Sequence, residues 1–178
     1  MDYRDIAFRD CRQGNEGEML LFALDRVHHQ FAWKTGGLDA RQLRQQHPPS
    51  RLTLAGLIKH MASVEAHWTA RAHGRTPGSP WDSVDWDADG EWDWHSAVSD
   101  EPNDLYALWY DTIQRSRQTW AETIANDELA ATFAQGSDDY IVSRRRAFVD
   151  VLEENLLHAG QASILREAVD GLTGNDPP

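Results

Sequence analysis

The sequence predicts an all-α fold, a four-helix bundle with long connections, and three observations carry that expectation. Four long stretches place apolar residues at steps of three and four, the period of an amphipathic helix. Little of the chain alternates apolar with polar residues as a half-buried strand does, so strands should be absent or trivial. Gly36-Gly37, Pro48-Pro49, Gly74 with Pro77, and Gly171 stop or separate the four stretches. Long helices joined by one or two long connections make a bundle.

The first helix is expected from about Asn15 to Trp33, with Met19, Leu20, Ala23, Leu24, Val27 and Phe31 on one side. A short helical turn follows at 39–43, which Asp39 can cap. After Pro48-Pro49 the second long helix begins at Ser50 or Thr53 and runs to about His73, with Leu54, Leu57, Met61, Val64 and Trp68 as its buried stripe. The third starts at about Pro102, a residue suited to a first helical turn, and continues to Ala125. Leu105, Leu108, Trp109, Thr112, Ile113, Trp120 and Ile124 line it. The fourth spans about Ser143 to Asp170, with Gly171 as its stop. A long loop, roughly 74–101, joins the second and third helices and carries Trp81, Trp86, Trp92 and Trp94. No repeat and no internal boundary is visible, so residues 1–178 read as one helical-bundle domain.

A chain of 178 residues, 40% hydrophobic and 26% charged, has the composition of a globular protein able to bury a continuous core. Its one cysteine, Cys11, excludes an internal disulfide, and no motif marks that thiol as catalytic. The net charge of -12 argues against nucleic acid, because phosphate binding relies on Lys and Arg. The one basic run, Arg144 to Arg146, heads a helix and reads as a solvated face pairing with Asp138 and Asp139. The opening MDYRDIAFRDCRQG is charged from its second residue and holds no apolar run of a signal peptide. No stretch approaches the ~20 apolar residues of a membrane helix, so the expectation is a cytoplasmic protein without a membrane partner.

The fourth helix is the informative one. Its inward positions at steps of four and three are Ala147, Val151, Glu154, His158, Gln161 and Leu165, apolar at the ends and polar in the middle. Glu154 and His158, four apart, are neighbours on one face. His60 likewise interrupts the stripe of the second helix, three residues after Leu57 and four before Val64. A carboxylate and two imidazoles facing a bundle interior cost several kcal/mol if left unpaired. A divalent cation is a partner both group types share, and facing helices are a common way to build such a site. Spacing alone leaves a second reading open, in which His60 is a hydrogen-bonded core residue and Glu154 turns to solvent beside Glu153.

The segments LTLAGLIKHMASVE (52–65) and EENLLHAGQASILRE (153–167) resemble the two signature helices of the DinB/YfiT-like superfamily. The branch they look most like is an uncharacterised one related to mycothiol-dependent maleylpyruvate isomerase. The order and spacing of the four helices agree over nearly the whole chain. The resemblance implies a divalent metal, zinc first with nickel or iron as alternatives, held by His60, Glu154 and His158. It also implies a low-molecular-weight thiol such as mycothiol or bacillithiol. The chain departs from the branch's pattern at Gln161 and Asp150, where relatives often carry histidine. Gln161 remains a candidate cofactor-binding residue, able to bond a metal-bound water or act as a weak oxygen ligand.

Residues 85–96 imitate an EF-hand loop, with Asp at positions 1, 3, 5 and 9 and Gly at 6, but Ser96 stands where a bidentate Glu is needed. An acidic solvated loop anchored by tryptophans is the preferred reading. Those tryptophans either lid the bundle's open end or bury a subunit interface. One of His28 and His29 should face the interior in a packing or supporting role, and His67 lies too far along its helix to share an ion with His60. His47, His73 and His95 read as loop or helix-end residues.

Two functions of different class follow. In the first, an ion with three protein ligands and one open position serves a metal-dependent enzyme acting on small molecules, a thiol transferase or isomerase, or a hydrolase. In the second, the pocket is a degenerate metal- or ligand-binding site and the bundle is a scaffold, in which case a homodimer is expected. Metal content and a thiol-conjugation assay discriminate the two.

Overall fold

The computed structural model describes residues 3–6 and 8–177, and of residues 3 and 137–139 the backbone alone. Four long helices form where the periodicity places them: α1 (Glu16–Thr35), α3 (Leu54–Ala72), α5 (Pro102–Ala125) and α6 (Arg144–Asp170). Two short ones, α2 (Ala40–Leu43) and α4 (Trp92–Ser96), lie in the connections. Local chemistry sets their ends. Asn15 accepts from the Glu18 amide while the Glu18 carboxylate accepts from the Asn15 amide, a reciprocal cap at α1. Thr53 and Ser143 cap α3 and α6 through their hydroxyls, Pro102 opens α5, and Gly171 closes α6 with φ of 82°. Arg166 of α6 donates to the carbonyls of Lys34 (3.1 Å) and Gly36 (2.7 Å), satisfying the end of α1 from a neighbouring helix.

α3 packs against α5 and α6, and α1 closes the bundle by packing against the same two. Leu54, Leu57 and Met61 are in the core, but Val64 and Trp68 are only half-buried. The buried face of α3 is wider than the expected stripe because Ala55, Gly56, Ala62, Ser63, Ala66 and Ala70 let neighbours approach on several sides. Met19 of α1 is exposed, whereas Leu24, Val27 and Phe31 are buried as expected. Trp109 packs on Phe31 at 5.1 Å and Trp120 on Phe148 at 5.2 Å, so α5 supplies a large aromatic to each half of the core.

The connection between α5 and α6 contains a short antiparallel ribbon, β1 (Thr132–Gln135) and β2 (Ser137–Ser143), turning at Gly136 with φ of 81°. Phe133 pairs with Val142 across it, and Phe133 packs on the cluster around Trp120 and Phe148. The tryptophan-rich loop is also ordered: it forms a 3-10 turn at Trp81–Ser83 and then α4. Trp81 is fully buried, with Trp86, Trp92 and Trp94 packed partly buried against the same core.

The basic run does not rest on a single acidic partner. Arg144 pairs with Glu128, Arg145 with Glu16 at 3.0 Å, and Arg146 with Asp150 at 2.6 Å. The side chains of Asp138 and Asp139, the expected partners, lie outside the described residues. Among the described residues, no helix is long and apolar enough to cross a membrane.

Candidate metal centre

α3 and α6 face each other with His60 on one and Glu154 and His158 on the other. One donor atom from each of the three lies within 4.8 Å of the other two. Nε2 of His158 is 3.3 Å from a Glu154 carboxylate oxygen, and the rings of His60 and His158 meet edge to face, centroids 4.9 Å apart. His158 is buried, His60 half-buried, and Glu154 lies on the solvent side.

Both rings are held from behind. A carboxylate oxygen of Asp93 lies 2.8 Å from Nδ1 of His60, and the carboxamide oxygen of Gln161 lies 2.7 Å from Nδ1 of His158. Those oxygens accept, so each Nδ1 carries the proton and each Nε2 presents its lone pair. Gln161 thus orients His158 through its oxygen. Burial pushes the His158 imidazole below the ordinary histidine range and nearby His60 adds to this, against the raising influence of Gln161 and Glu154. The neutral ring that results is the form that binds a metal.

Trp94 of α4 stacks on His60 with centroids 4.4 Å apart. It does so because Gly56 leaves room, since a Cβ there would come within 2.8 Å of the indole. The short helix α4 therefore brings both Asp93 and Trp94 to His60.

The donor set fits a divalent ion. Two imidazole nitrogens and a carboxylate oxygen suit zinc, and three protein ligands leave one position free. Two ligands each about 2.1 Å from a tetrahedral ion stand roughly 3.4 Å apart. The His158–Glu154 pair is already at 3.3 Å, and the other donor atoms lie within 4.8 Å of one another. Among the described residues, this is the one group of three or more His, Cys, Asp or Glu side chains whose donor atoms converge in this way.

Residues 19–171 match the family described as mycothiol-S-transferase. The chain belongs to that family. The mycothiol S-transferase family is DinB/YfiT-like, the superfamily that segments 52–65 and 153–167 resemble. A solved structure, titled the crystal structure of the conserved protein of locus from Enterococcus faecalis, shares the fold. The two superpose with a TM-score of 0.65 at 16% identity, over 90% of this chain and all (100%) of that one. No curated protein matches the chain.

The other expected residues fall elsewhere in this mycothiol S-transferase family member. His28 is the inward histidine of its pair, bonded to Glu65 at 2.7 Å, and His29 stacks on Phe8 with centroids 5.3 Å apart. His67 packs edge-on to Trp86 with centroids 5.3 Å apart. In the loop that imitates an EF-hand, both Asp89 oxygens lie 3.0 Å from His95 Nδ1 and Asp93 turns inward to His60. That segment is therefore not wholly an acidic solvated loop: α4 occupies its second half and Asp93 is buried.

Sequence reasoning missed Asp93 and Trp94 at the site, and it missed a buried polar cluster beside it. Glu65 is 0% exposed and accepts from His28 (2.7 Å), Asn155 (2.8 Å) and Ser116. The hydroxyls of Thr69 and Ser116 are 2.8 Å apart. A signal was present: Ser116 stands three after Ile113 and four before Trp120, a polar interruption of an apolar stripe like that of His60.

Proposed function

We propose that the protein is a metal-dependent transferase that joins a low-molecular-weight thiol, mycothiol first, to a small electrophilic molecule. The observation that carries this reading is the convergence of donor atoms from His60, Glu154 and His158 within 4.8 Å of one another, with Asp93 and Gln161 accepting from the Nδ1 of the two rings. Zinc is the ion the donor set favours, with nickel or iron as alternatives. When bound, such an ion supplies the Lewis acidity that keeps a thiol ionised near neutral pH.

The chain's own residues set the terms of that chemistry. His60, Glu154 and His158 would hold the ion, and Asp93 and Gln161 fix the two rings so that little reorganisation is needed. Trp94 covers one face of His60 by stacking on it. Trp94 also forms part of the wall of a cavity of about 660 Å³, with Arg51, Leu52 and Val98, so the indole stands between that cavity and His60.

The test is thiol consumption by purified protein with mycothiol and a panel of electrophiles, with and without added zinc. The reading expects zinc-dependent conjugate formation that is lost in His158→Ala. Stoichiometric zinc binding with no thiol consumed across the panel would instead support a non-catalytic metal-binding scaffold.

A further inference from the structure

α6 buries one side against α1 and α3 and leaves an apolar stripe on the other. Leu156, Leu157 and Ile164 on that stripe are 54%, 58% and 70% exposed, well beyond what isolated surface residues need. Gly160 lies among them, and a Cβ built there would meet nothing within 4 Å, so another backbone can approach closely. Charges flank the stripe with opposite sign at its two ends, Arg146 towards the start of α6 and Glu167 towards its end.

We infer that this face docks a second copy of the chain, the two α6 helices antiparallel about a two-fold axis between Leu156 and Leu157. One register sets apolar residues against apolar residues and the terminal charges against opposite charges. With the axis there, Leu156 meets the partner's Leu157, Val149 meets the partner's Ile164, and Arg146 meets the partner's Glu167. Glu153 falls over the partner's Gly160, where the missing side chain leaves space. A two-fold contact repeats each pairing, so the Arg–Glu pair occurs twice, once at each end. Arg146 gives one N–H to Asp150 of its own helix at 2.6 Å and has further donors for the partner's carboxylate. A parallel arrangement would set Arg146, Glu153 and Glu167 each against its own copy, like charge against like, which disfavours it. The inference does not depend on the metal reading.

Sedimentation and self-crosslinking test it together. Wild-type protein should sediment as a dimer, and Leu157→Glu and Ile164→Glu, both at exposed positions, should sediment as folded monomers. In a Cys11→Ser background, Leu157→Cys should form a disulfide with its own copy across the axis. Ile164→Cys should not, because antiparallel pairing sets it about 22 Å from its copy along the helices. A monomeric wild type, a dimer untouched by Leu157→Glu, or Ile164→Cys linking as readily as Leu157→Cys would each overturn the inference.

Discussion

Asp93 shows how a candidate metal centre can depend on a side chain outside its donor set. It lies between Trp92 and Trp94 in an acidic stretch, and its burial against His60 fixes which imidazole nitrogen is free to bind. Removing it leaves the ring able to rotate and to exchange tautomers. Asp93→Ala is therefore expected to weaken zinc binding by about 10–100-fold while helix content stays the same. Competition against a chromophoric chelator measures this, and an unchanged affinity would show that His60 is not held by Asp93. The triad itself was legible in the sequence because His60, Glu154 and His158 each interrupt an apolar helical stripe. Asp93 was not, because it reaches the site from a loop, where no periodicity relates a residue to a face. The place of Gln161 beside His158 was legible from spacing alone. That its oxygen accepts from His158 depends on a side-chain rotamer, which spacing does not determine.

Two features of the helices carry predictions at the scale of elements. Glu65 on α3 collects donors from α1 (His28), α5 (Ser116) and α6 (Asn155), so one buried carboxylate ties all four long helices. Glu65→Ala would remove the acceptor that these three share, leaving Ser116 with Thr69 and Asn155 with the Val151 carbonyl but His28 without its carboxylate, and is expected to cost about 1–3 kcal/mol, read by urea denaturation. A loss below about 1 kcal/mol would mean that the cluster holds nothing together. At the end of α3, burial lowers the pKa of His73, and the Thr69 carbonyl works against that shift. With a lowered value in the fold, the unfolded chain takes up the proton first as pH falls. Stability should then be full above the ordinary histidine value of about 6.5 and decline below it. His73→Gln should reduce that decline in melting temperature across about pH 7.5 to 5, and an unchanged slope would contradict the assignment. Helix ends were legible through Asn15, Thr53, Pro102, Ser143 and Gly171, residues whose preference is local. The breadth of the buried face on α3 was not, since it depends on neighbours that wrap the helix on several sides. The β1–β2 ribbon fits the expectation of trivial strands, and its position was not legible because a pairing of a few residues has too short an alternation to stand out.

At the scale of the whole molecule, core and site divide the work. Leu24, Phe31, Leu57, Met61, Trp109, Trp120 and Phe148 are almost completely buried and lie outside the triad, so apolar burial maintains the bundle whether or not an ion is bound. Leu157 of the exposed α6 stripe stands three residues after Glu154, so Ile164→Glu, farther along the helix, is the variant that alters the stripe apart from the triad. The central claim is that His60, Glu154 and His158 act as one ligand set. Calorimetric titration of zinc into wild type, His60→Ala and Glu154→Gln tests it most directly, with circular dichroism confirming that each variant is folded. The account predicts one zinc per chain for wild type, a strong loss of affinity in both variants, and unchanged helix content. Equal zinc affinity in all three proteins would contradict it and place the ion elsewhere, with the acidic 82–93 segment the first place to look.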